Sequence, residues 1–129
     1  MKIILCLLFL SLNINANTIT QLENKLSKAM TNNSMKEISN DLRDALKKEI
    51  EAVNSKIIKK LEKDSRQKFV EANTSWENYF IKEGFFIIKE FNNNSLYGSS
   101  GGLSSSRWHI KILKKRYEYL SSLLKSLSK

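Results

Sequence analysis

The chain has 129 residues, 27% of them charged, with 22 Lys+Arg against 13 Asp+Glu for a formal net charge of +9. One cysteine cannot close an internal disulfide, and one histidine leaves a histidine-based metal centre or a Ser/Cys–His triad without partners. The absence of proline and the small number of glycines favour long uninterrupted helices.

The first element is an export signal. Lys2 supplies a positive start, Ile3 to Leu12 are apolar apart from Ser11, and Asn13 to Ala16 turn polar and end in a small residue. Residues 1–16 therefore read as a cleavable secretory signal cut after Ala16. The apolar run is shorter than the about 20 residues a membrane-spanning helix needs. Cys6 falls too early in it to serve as a lipid-anchor cysteine. The expected mature chain, Asn17 to Lys129, is one periplasmic or secreted domain. It has no cysteine and no transmembrane helix, and is held together by packing alone. Export disfavours nucleic acid as the reason for the positive charge, and a lysine-rich surface lacks the arginine fork that reads phosphate. Solvated faces, an anionic membrane surface or an acidic partner remain.

Three to four helices are expected after the signal. Thr20-Gln21-Leu22-Glu23 reads as a capping box for a short helix carrying Leu22, Leu26, Ala29 and Met30 on one side, broken at Thr31 to Ser34. Ser34-Met35-Lys36-Glu37 reads as a second capping box. Behind it Met35, Ile38, Leu42, Leu46, Ile50, Val53, Ile57 and Leu61 recur at spacings of three and four. Asp64 to Gln67 either cap a new helix or mark a bend. The next run carries Phe69, Ala72, Trp76, Tyr79, Phe80 and Ile87, and the asparagines from Asn92 end it. Leu96 to Ser106 read as a Gly/Ser-rich loop, and the last helix starts near Ser106 with Trp108, Ile112, Leu113, Tyr117, Leu120, Leu124 and Leu127. The fold class that follows is all-α, an antiparallel bundle of three to four helices.

Chemistry is sparse. His109 reads as a structural or exposed histidine, and Gly98 to Gly102 lack the Gly-Lys-Ser/Thr ending of a phosphate loop. Glu37, Asp41 and Asp44 share a helical face among lysines and read as solvated charge. No catalytic group, metal or cofactor is implied. Trp76, Tyr79 and Phe80 crowd one stripe that is either core or a partner patch. Lys111, Lys114, Lys115 and Arg116 form a basic cluster that either touches lipid headgroups or an acidic partner, or simply faces solvent. Sequons stand at Asn32, Asn73 and Asn93, and Asn73 sits on a helix expected to pack.

Several of these segments, taken in order, resemble a known family. Phe69 to Tyr79 contains Ala72, Trp76 and Tyr79 in the alanine-polar-x-x-tryptophan-x-x-tyrosine pattern of the lysozyme inhibitor LprI N-terminal-like family, small exported bacterial helical domains. Asn54 with Ile57 resembles its leucine-asparagine-x-x-tyrosine element, Gly98 to Gly102 its glycine-serine loop, and Arg116 with Leu120 its closing signature. The resemblance spans roughly residues 40–125 of the mature domain, 17–129. It implies a non-catalytic binding module whose protein partner is a lysozyme-type muramidase. The alternative is a cationic envelope-associated protein making peripheral contact with anionic lipid or cell wall. The positions aligned with the family's cysteines are Gly84 and Trp108, Phe80 stands where an arginine is expected, and Leu113 where a threonine is expected. The resemblance thus implies that the Trp108 indole covers Gly84, replacing by apolar burial a disulfide worth roughly 2–4 kcal/mol.

Overall fold

The computed structural model describes residues 17–93 and 101–129. The export signal with Cys6, and Gly98 of the glycine-serine loop, lie outside the described residues. Four helices make up the described chain: α1 (17–28), α2 (Asn32–Lys60), α3 (Lys63–Asn93) and α4 (Gly101–Ser126). The protein is an all-α bundle, and among the described residues no helix is long and apolar enough to cross a membrane.

Local chemistry moves three of the expected boundaries. Residue 17 is already helical, so Thr20 lies inside α1 and is not its cap. Met30 lies beyond the end of α1 and is 92% exposed, leaving Ile19, Leu22 and Leu26 as its inward face. The cap of α2 is Thr31, three residues before Ser34. Its Oγ1 accepts from the Ser34 N–H at 3.2 Å, and the Ser34 hydroxyl returns a bond to the Thr31 carbonyl. The last helix begins at Gly101, and Ser105 and Ser106, expected in a loop, are buried within it. Serine is a neutral helix residue, and here it provides the small side chains that a close interface requires.

The register follows from which residues meet. Arg43 lies near Ser106 and Ile50 near Leu113, so α2 and α4 run parallel. Asn73 meets Arg116 and Gly84 meets His109, so α3 runs antiparallel to α4. This is the up-down-up order that short connections impose. The extensive interface is between α2 and α4, α3 packs chiefly on α4, and α2 and α3 scarcely touch. Leu42, Leu46 and Ile57 of α2 and Leu113 and Leu120 of α4 are fully buried, each such side chain being worth about 1.5–3 kcal/mol. On α1, Glu23 forms an ion pair with Lys114 of α4 at 2.6 Å.

Candidate functional site

Because α2 and α3 both lean on α4 but not on each other, a slot opens between them. Its first segment, about 250 Å³, has Ile50 and Lys47 on the α2 wall, Trp76, Phe80 and Ile81 on the α3 wall and Leu113 as floor. Glu51 and Glu77 stand at this end. The second segment, about 220 Å³, shares Lys47, Phe80 and Ile81 with the first and adds Arg43 across from Phe85 and Ile88, with His109 as floor. Ile81, Phe85, Phe86 and Ile88 are exposed, Phe85 by 70%. A helix face of this apolarity is normally covered.

Behind the slot an aromatic stack joins α3 and α4. Trp76 stacks on Phe80 with centroids 5.3 Å apart, and Phe80 stacks on Trp108 at 6.1 Å. His109 stands perpendicular to both Phe80 and Trp108, with centroids 5.5 and 4.9 Å away. The residue against Gly84 is therefore His109, which corrects the expectation for Trp108. A Cβ added at Gly84 would stand 2.7 Å from His109 Nε2. Trp108 is half-buried on Phe80, one turn away.

His109 is held through Nδ1. Its Nδ1–H donates to the Ser105 carbonyl at 2.7 Å, the only role open to it against an acceptor, so the neutral ring carries its lone pair on Nε2. Burial pushes its pKa below the usual 6.5; the Ser105 bond opposes this, and the Arg43 and Lys47 charges add to it.

On the other side of α3, Arg116 lies 4.9 Å from the Trp76 ring centroid and 5.4 Å from that of Tyr119. Its Nη2 donates to Asn73 Oδ1. Burial pushes its pKa down from the usual value, offset in part by Tyr119 and Glu77, and the guanidinium stays charged. Tyr79, Ile112 and Lys115 complete a shallow hollow there of about 270 Å³.

The residues singled out from the sequence separate accordingly. Trp76 and Arg116 come together, and Leu120 is in the core. Asn54 is half-buried on α2 with an Oδ1 that is shut off from water and has no partner. Ala72 is exposed and Tyr79 half-exposed, so the inward face of α3 runs through Phe69, Asn73, Trp76, Phe80 and Gly84. The aromatic stripe is split between packing and surface. The basic cluster divides too: Lys111 and Lys115 are exposed, while Lys114 is paired with Glu23 and Arg116 is caged. The cations that line the slot, Arg43 and Lys47, come from α2 and were not among the candidates. Glu37, Asp41 and Asp44 are all exposed. Among the described residues no group of three His, Cys, Asp or Glu side chains could hold a metal ion. Comparison of the chain with profiles of known protein families, with curated proteins and with solved structures finds no match in any of the three.

Proposed function

We propose that the protein is an exported helical binding module that acts without catalysis and takes its partner in the slot between α2 and α3. One observation carries this reading: Ile81, Phe85 and Ile88 stand exposed along a slot that a closed bundle would have filled. Sites of this kind are concave and mostly apolar, with a few polar groups that orient the occupant. The resemblance of Ala72, Trp76, Tyr79, Arg116 and Leu120 to the LprI-like family supports a binding role and names a lysozyme-type muramidase as the partner to try first. Arg43 and Lys47 favour a partner that presents a negative group, which a strongly cationic muramidase would have to supply locally.

The test is affinity capture from periplasm or culture medium with the protein and with its Ile81→Asp variant. A muramidase recovered by the former and lost by the latter supports inhibition through the slot. Equal recovery by both removes the slot from the reading. A second reading, peripheral contact with an anionic membrane, draws on exposed Phe85 and Phe86 beside Lys82 and Lys89. It requires salt-labile co-sedimentation with phosphatidylglycerol vesicles, and absence of binding at low salt removes it.

A further inference from the structure

The two ends of the slot differ in charge. At one end stands Arg43 and at the junction of the two segments Lys47, and among the described residues neither has a carboxylate within ion-pairing distance. Arg43 spends its Nη2 on the neutral Asn40 amide at 2.6 Å, and its Nε–H is cut off from water without an acceptor. Lys47 is exposed, but the half-buried Arg43 guanidinium against an apolar wall is unfavourable until an anion or other acceptor joins it. At the opposite end Glu51 and Glu77 would repel a second anionic group. Between them the lining is Ile50, Trp76, Phe80, Ile81 and Leu113, with no cation but Lys47.

An occupant that fits this pattern has one anionic group at one end and an uncharged apolar remainder. The size of the slot narrows it further. Segments of about 250 and 220 Å³ together fall in the range of about 300–1,000 Å³ typical of small-molecule sites. The α3 wall from Trp76 to Ile88 runs for about 18 Å at 1.5 Å per residue, a length that matches one extended hydrocarbon chain. We propose that the slot binds a single long-chain carboxylate, its head between Arg43 and Lys47 and its hydrocarbon chain laid along Phe80, Ile81 and Trp76 over Leu113. This rests on the slot being the recognition surface and names its occupant.

Trp76 supplies the readout. Hexadecanoate, added below its micelle concentration, is titrated against the full protein while tryptophan emission is followed, and the stoichiometry is read by native mass spectrometry. The expected result is a saturable change with one ligand per chain. Binding should weaken about tenfold or more in Arg43→Glu and Lys47→Glu, since each reverses a charge at the head, and should be unaffected by Lys111→Glu, which lies outside the slot. Hexadecan-1-ol should bind at least about tenfold more weakly, because it lacks the anion. Three outcomes overturn the inference: no saturable change, equal affinity for the alcohol, or uptake of lysophosphatidylglycerol but not hexadecanoate. Partition into phosphatidylglycerol vesicles without a one-to-one complex overturns it as well, in favour of membrane contact. Failure here leaves the binding-module reading to be decided separately by capture with Ile81→Asp.

Discussion

His109 lies so close against Gly84 that a single added methyl would stand 2.7 Å from its Nε2. The ring cannot easily retreat, because Ser105 holds Nδ1 and the Phe80 and Trp108 rings border it. Gly84 is the only glycine in α3, and it is there to let α4 approach. Replacing it by alanine gains up to about 1 kcal/mol of helix propensity but forces overpacking that costs typically 1–3 kcal/mol. Gly84→Ala is therefore expected to lower stability by up to about 2 kcal/mol in urea unfolding. In the His109→Ala background the same change should be neutral or stabilising, and additivity of the two changes would contradict the contact.

The same histidine makes stability depend on pH. Its folded pKa is below 6.5, so under acid the unfolded chain takes up the proton first. Stability is fully present above about pH 6.5 and declines as pH falls through the window between that value and the lowered folded pKa. The groups facing the ring are Arg43 and Lys47 from α2, Phe80 and Gly84 from α3, and Ser105 and Trp108 from α4. None of these is a carboxylate able to reverse the sign. Urea midpoints measured from pH 8 to pH 5 should fall, and the part of the fall due to His109 should vanish in His109→Gln.

Arg116 is expected to resist conservative exchange. Lysine keeps the charge but loses the planar stack on Trp76 and Tyr119 and the bond geometry to Asn73. Arg116→Lys should destabilise by about 1–2 kcal/mol. Asn73→Ala should cost a similar amount, and a double-mutant cycle should show coupling between them. Strict additivity would count against the clamp.

The Lys114–Glu23 pair should matter little. Its side chains are 45% and 35% exposed, and pairs of that kind are worth about 0–1 kcal/mol. Lys114→Met is expected to change the thermal midpoint by no more than a few degrees. A larger loss would mean that α1 depends on this pair more than on Ile19, Leu22 and Leu26.

Much of the fold could be read from hydrophobic spacing, and the site largely could not. Leu42, Leu46, Val53 and Ile57 follow a clean helical period, and all are core. The period does not distinguish a residue facing in from its neighbour when polar groups do the packing. Asn73 took the inward position expected for Ala72 because Arg116 on α4 gives its amide a partner. The start of α4 was concealed by serines and glycines, which lack the apolar signal but suit the tight contact at Ser105 and Ser106. The sequence leaves His109 either structural or exposed, and the structure buries it against Gly84. The slot depends on α2 and α3 scarcely touching, a tertiary fact with no local signature. Its one sequence clue was the run of apolar residues on α3, Ile81, Phe85, Phe86, Ile87 and Ile88, too many for a single inward stripe.

The central claim is that recognition takes place between α2 and α3, and isoleucine methyl spectra test it most directly. Protein labelled at its isoleucine methyls is titrated with hexadecanoate, and the shifts are mapped. The account predicts perturbation of Ile50, Ile81 and Ile88, which line the slot, with Ile57, fully buried away from it, and Ile112, in the hollow beside Arg116, left in place. Shifts confined to Ile112, or spread over every exposed isoleucine without saturation, would contradict it.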